Sequence, residues 1–224
     1  MNMPSYRSAL RLLAFGCALS ATSLVSHPVE AQGVPSFRPP SVPLVTHDPY
    51  FSIWSNSNKL YSEETRHWTG RENSLHAMIR VDGQPFRLMG NQPEESASLP
   101  QKSVEVLPTR TIYVFANDKV EVQLTFLTPA IPSDIEVLAR PVTYVTTRVR
   151  SLDGKRHDVQ LYSDAGADIT VHNANSQQVT WNRASAGNLT ALRIGSVDQP
   201  LLARRGDDVR IDWGYLYLAA TNQK

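Results

Sequence analysis

A chain of 224 residues with 41% hydrophobic content is long enough to bury a core, as one domain or two small ones. Its formal net charge of +1, from 22 Lys and Arg against 21 Asp and Glu, gives no electrostatic footprint for nucleic acid and no basic patch for an anionic membrane. Fifteen prolines against eleven glycines, with few stretches in helical period, lean towards an all-β chain with many turns.

The first 31 residues read as a secretory signal. Arg7 and Arg11 supply a basic start, residues 12–25 are apolar, and Val29-Glu30-Ala31 puts small residues where cleavage requires them. That run is too short, and too broken by Ser and Thr, to span a membrane, so export to the periplasm or the medium is expected. A lipoprotein signal using Cys17 is the competing idea, but Phe15 fits the required motif poorly. Cys17 is the sole cysteine, so the mature protein is expected to hold no disulfide and no cysteine-based zinc site. Residues 32–48 form a Pro-rich extended leader.

Residues 49–102 make an aromatic-rich segment that closes in a hairpin. Between Trp54 and Thr69 lies a polar loop, with a short helical turn expected around residues 62–66. Asp82-Gly83, between apolar runs, predicts a type I′ turn, because that turn needs positive φ at both central positions. Residues 91–102 are expected to be loop. Residues 103–224 then read as a β-sandwich domain. Val120, Val122, Leu124 and Phe126 alternate with polar residues, the period-two pattern of a half-buried strand. Asp153-Gly154 predicts a second hairpin, between residues 142–150 and 158–163. Further strands are expected at residues 169–172, 178–181, 190–194 and 215–220, giving about ten short strands by spacing. The expected fold is an all-β antiparallel sandwich, incomplete at the C-terminus because residues 215–220 would lack their neighbour. An uncovered apolar edge invites pairing with other chains, so aggregation is expected.

Few residues stand out chemically. The pairs Glu63-Glu64, Glu94-Glu95 and Asp207-Asp208 read as solvated loop charges. Asp164 and Asp168 could ligate a hard cation, but turn chemistry by Asp and Gly explains them more simply. Six scattered histidines show no metal-site spacing, and neither a metal nor a cofactor is expected. Serine-hydrolase, phosphate-loop and dinucleotide motifs are all missing. Asn188-Leu189-Thr190 is a glycosylation triplet of a kind that arises easily by chance. His67, beside Trp68 and Arg71, is the one histidine in suggestive company. A Trp face with an Arg nearby suits a sugar or an amino-acid carboxylate. Packing by Trp54 and Trp68, and an Arg71 that merely bonds backbone carbonyls, are the plainer explanations.

A resemblance adds to this. Pro43-Leu44, the run from Pro49 to Trp54, the run from Trp68 to Arg71, and the Ile79–Gly83 turn, in this order, resemble the N-terminal signature of the secreted glutaminase A family. Residues 120–129 and 140–170 resemble, more by pattern, the sandwich that follows. The resemblance implies a complete protein with an α-helical toroid of the six-hairpin kind, hydrolysing L-glutamine to L-glutamate and ammonia. The toroid would be this chain's missing partner and glutamine the small-molecule substrate of the whole. This chain alone is then expected to be inactive, with its catalytic residues unknown and Trp68, Arg71 and His67 as substrate-binding candidates. Two other readings stay open: a stand-alone sandwich binding carbohydrate or protein, and the accessory domain of a six-hairpin glycosidase.

Overall fold

The computed structural model describes residues 38–206 and 210–221. The expected signal and the Asp207-Asp208 pair lie outside these residues. The described chain is all-β, and its sheets are antiparallel, consistent with a β-sandwich.

The first sheet joins β1 (Val42–Thr46), β2 (Ser52–Ser55) and β3 (Arg66–His67). The second pairs β4 (Leu75–Val81) with β5 (Gln84–Met89) across Asp82 and Gly83, whose φ values of 50° and 84° are the two positive angles the sequence requires there. The third sheet runs β6 (Gln101–Leu107), β7 (Arg110–Ala116), β8 (Val120–Leu127) and β9 (Tyr144–Ser151) in chain order. A four-residue exposed helix, α1 (Ile135–Leu138), capped by Asp134, lies between β8 and β9. β10 (Val159–Ala165) leaves that sheet and pairs with β4 instead. The last sheet is a meander of β11 (Val179–Ala186), β12 (Leu189–Ser196) and β13 (Leu216–Thr221).

Several sequence expectations are corrected here. The Asp153-Gly154 turn does not close a hairpin: β9 completes the third sheet and β10 the second, so the turn is a crossover between sheets. Asp-Gly fixes a local reversal, whereas strand pairing is decided by which edge offers a matching apolar face. Residues 169–172 are not a strand. Ala167–Thr170 is a 3-10 turn that buries Ile169. The helical turn expected near residues 62–66 is replaced by turns leading into β3, and β6 begins at Gln101, inside the expected loop.

Strand β8 shows why the core sits where it does. Val120, Val122, Leu124 and Phe126 are all essentially inaccessible, each contributing about 1.5–3 kcal/mol by burial. They share one cluster with Val42, Leu44 and Ile53 of the first sheet and Ile79, Val81 and Leu88 of the second. Tyr113 packs on Phe115 and Phe126 in this cluster, and burial pushes its phenol up to about 12 despite a hydrogen bond with Ser55.

Cover stops at the two edge strands. Residues opposite one another in an antiparallel pair share a face. Val145 stands opposite Phe126, yet it is 47% exposed, and Leu161 stands opposite the inaccessible Ile79, yet it is 52% exposed. In the last sheet Trp181, Ile194 and Leu216 line up across one face, beside Leu192 and Leu218, and Trp181 is 70% exposed. The inner faces therefore continue onto β9 and β10 as an apolar seam open to solvent.

Candidate functional site

The run from His67 to Arg71 folds as a tight turn between β3 and the segment that returns beside it. His67 donates its backbone N–H to the Arg71 carbonyl at 2.7 Å, and Gly70 donates to the His67 carbonyl at 2.8 Å. Gly70 has φ of +91°, which favours a residue without a Cβ. His67 itself is buried. Its Nδ1 bonds Thr69 Oγ1 and its Nε2 bonds the Pro49 carbonyl, both at 2.9 Å. Trp68 donates its indole N–H to the same carbonyl at 2.6 Å, and the residue is 52% exposed, so it is not a core residue. Arg71 donates to the His172 carbonyl at 3.1 Å, the backbone contact the plainer sequence explanation names.

This turn forms one wall of an open cleft of about 360 Å³, lined by Arg66, Arg71, Glu72, Asp168, Asn173, Asn175, Ala174 and Arg210. Arg210 is its keystone. The residue is 5% exposed, and its guanidinium donates to the carbonyls of Glu72 (2.8 Å), Asp168 (3.3 Å) and His172 (3.2 Å) and to Asn73 Oδ1 (2.9 Å). One side chain thus ties together the 66–73 turn, the 3-10 turn and the 172–177 loop. Asp168 Oδ2 accepts from the Ser74 backbone N–H at 2.8 Å, while the loop beyond is held by Gln177, whose Oε1 accepts from the His172 and Asn173 N–H groups. Burial, and then the positive charges of Arg204 and Arg71, keep the His172 imidazole below its ordinary pKa.

The structure brings Arg71 and Asp168 to one cleft and leaves Asp164 elsewhere. Asp164 accepts from His76 Nδ1 at 2.7 Å, and Glu64 lies 3.0 Å from His76 Nε2 as an ion-pair partner set off the hydrogen-bond direction. Burial depresses the pKa of His76. The Asp164 hydrogen bond and the two carboxylate charges outweigh that effect, and the net shift is upward. The ring packs against Gly90, where a Cβ would collide with it. Glu64 is therefore not a solvated loop charge, although Glu94 and Glu95 are exposed. A second cluster sits at the β4–β5 turn. His157 Nδ1 meets Asp82 at 2.8 Å and its Nε2 meets Asp153 at 2.9 Å. Neither cluster is legible in the sequence, since each is assembled from residues far apart in the chain. Among the described residues, no group of three or more His, Cys, Asp or Glu is placed to hold a metal ion. Nor is any helix among them long and apolar enough to cross a membrane, which says nothing of β-barrels.

Comparison with known proteins gives a consistent neighbourhood. Residues 109–224, more than half of the chain, match the family described as Domain of unknown function (DUF5127), and residues 13–99 match Domain of unknown function (DUF4964). The chain is 29% identical over 213 residues to Glutaminase A of Aspergillus oryzae, covering 92% of this chain and 30% of that protein. It is 25% identical over 234 residues to a protein of Arthroderma benhamiae named Probable glutaminase, covering 93% of this chain and 25% of that protein. The chain thus spans under a third of the length of these curated relatives. No solved structure matches it.

Proposed function

The chain belongs to the family described as Domain of unknown function (DUF5127), and from that premise we propose that it is the N-terminal, non-catalytic portion of a secreted glutaminase-like amidohydrolase. The likeness to Glutaminase A along nearly the whole chain carries this reading. In the complete protein the side-chain amide of glutamine is hydrolysed to glutamate and ammonia on an α-helical toroid that follows the sandwich. Residues 1–31 serve export, residues 32–48 form an extended leader, and the segments 49–102 and 103–224 build the sandwich region. The apolar side chains left open on the edge strands β9 and β10, Val145 and Leu161 among them, support the proposal, because a following domain would cover them. Arg71, with Trp68 and His67 in the same turn, is the part of this chain that faces substrate.

The test is ammonia release from L-glutamine by the purified chain. The reading expects none above the blank. Turnover by this chain alone would overturn the non-catalytic assignment and direct attention to the cleft carboxylates Glu72 and Asp168.

A further inference from the structure

His76 stands on β4 directly opposite Asp164 of β10, and its two ring nitrogens face carboxylates from two different segments. Nδ1 meets Asp164 Oδ1 at 2.7 Å, and Nε2 lies 3.0 Å from Glu64 Oε2. A neutral imidazole carries a proton on one nitrogen and a lone pair on the other. With its proton on the Asp164 side, such a ring would turn a lone pair towards the Glu64 carboxylate. The imidazolium, a donor on both sides, suits both.

The two contacts differ in kind. Asp164 accepts an aligned hydrogen bond inside a strand pair. Glu64 Oε2 and His76 Nε2 are both buried, yet neither has a hydrogen-bond partner among the described residues. Opposite charge therefore holds the Glu64 contact, and the attraction lapses when the ring becomes neutral. The chain on either side of Glu64 is anchored independently. Leu60 donates its N–H to Gln101 Oε1 at 2.8 Å, the Tyr61 carbonyl accepts from Arg87 at 3.2 Å, and Thr65 Oγ1 donates to the Asn73 carbonyl at 2.6 Å. Glu64 is thus the arm that ties the turn at residues 62–64 to β4. Its other oxygen accepts only a long bond, from the Asn91 N–H at 3.3 Å, and Asn91 Oδ1 is buried without a partner among the described residues. An open turn lets water reach that oxygen, which favours opening once the charge is gone.

We propose that His76 is a pH-operated latch: as an imidazolium it pins Glu64 and the 62–64 turn to β4, and as a neutral ring it releases that arm while keeping Asp164. On opening, the Nε2 proton passes to solvent. The groups around the ring set the direction of the switch. Asp164 faces it from β10, where the Tyr162 phenol hydrogen-bonds the same carboxylate, and Glu64 faces it from the turn. Gly90, just after β5, packs on the ring and brings no charge, while the Arg87 guanidinium is engaged by the carbonyls of Tyr61, Asn91 and Ser96. Burial lowers the pKa of the ring and the two carboxylates more than offset it, so the latch is closed below pH 6.5 and opens as pH rises through the raised value.

The test is long-range proton–nitrogen NMR of the histidine rings of this chain between about pH 5.5 and 9, with His76→Gln used to assign the signal. Both His76 nitrogens should be protonated at about pH 6, with a midpoint above 6.5 that falls in Glu64→Gln. Amide hydrogen exchange then compares wild type with Glu64→Gln at matched pH. Residues 62–64 should exchange about fivefold more slowly in the wild type at the acid end, as a charge-held contact of this kind implies, and equally fast above the midpoint. A ring that stays neutral across the range would place the proton on Glu64 and overturn the latch, and that reading needs no variant to fold. An unchanged midpoint in Glu64→Gln, or an exchange difference flat with pH, would overturn it as well. No substrate is involved, so either outcome is separate from that of ammonia release.

Discussion

Arg210→Met removes the guanidinium that holds the cleft together while keeping the length of the side chain. Four oxygens lose a donor: the Glu72, Asp168 and His172 carbonyls and Asn73 Oδ1. The His172 carbonyl retains the hydrogen bond from Arg71, so three acceptors carry the main loss. Leaving a buried acceptor unpaired costs about 1–3 kcal/mol, and the open cleft lets water repay part of it. Removing one partner from a buried charged network costs about 3–5 kcal/mol, and we expect a loss in that range. Urea unfolding followed by circular dichroism reads it directly, and a drop in Tm of about 6–20 °C should accompany it for a domain of this size. Arg210→Lys should recover only part of the loss, since an ammonium cannot reach oxygens on three separate segments at once. Arg66→Met is the control: it deletes the same charge from a partly exposed position and should cost under about 0.5 kcal/mol. A loss below about 1 kcal/mol for Arg210→Met would refute the keystone role.

Three further outcomes follow from local geometry. Hydrogen bonds to Asp82 and then Asp153 raise the His157 pKa above 6.5; the His157 bond lowers Asp82, and the Lys155 backbone N–H, then His157, hold Asp153 at about 2, against 3.8 for a free Asp. The stabilisation from His157 is full below pH 6.5 and is lost as pH rises through its raised pKa. That from the carboxylates is full above pH 3.8 and is lost as pH falls through their lowered values. The Tm difference between the wild type and His157→Gln should therefore be widest between those limits and narrow on either side; a difference flat with pH would contradict the cluster. Gly90→Ala should cost about 2–4 kcal/mol, because its φ of +81° and the His76 ring both exclude a Cβ, and a neutral result in urea unfolding would contradict that packing. Val145→Lys combined with Leu161→Lys should shift the chain towards monomer in light scattering without lowering its melting temperature, since both side chains are about half exposed. A wild-type chain that is already monodisperse would count against an open seam.

The parts of the fold that were legible in the sequence are those fixed by local chemistry. The alternation of Val120, Val122, Leu124 and Phe126 became a strand with one face wholly buried, and Asp82-Gly83 became the expected turn. What the sequence did not disclose depends on partners distant in the chain. Nothing near Asp153-Gly154 says that β10 will pair with β4, more than 70 residues earlier, because pairing choice is a tertiary outcome. The site divides in the same way. The Trp68–Arg71 turn stood out by composition, and Arg71 does line the cleft. Arg210, His76 and Glu64 carried no signal, since each acquires its role from residues brought alongside only by folding.

In the proposed function this chain is a supporting sandwich, and activity would belong to the polypeptide that follows it in the complete protein. The most direct measurement replaces the matching N-terminal segment of the Aspergillus oryzae Glutaminase A with this chain and follows ammonia release from L-glutamine. Turnover by the hybrid and none by this chain alone is the expected result. A folded hybrid without turnover, or turnover by the isolated chain, would contradict it.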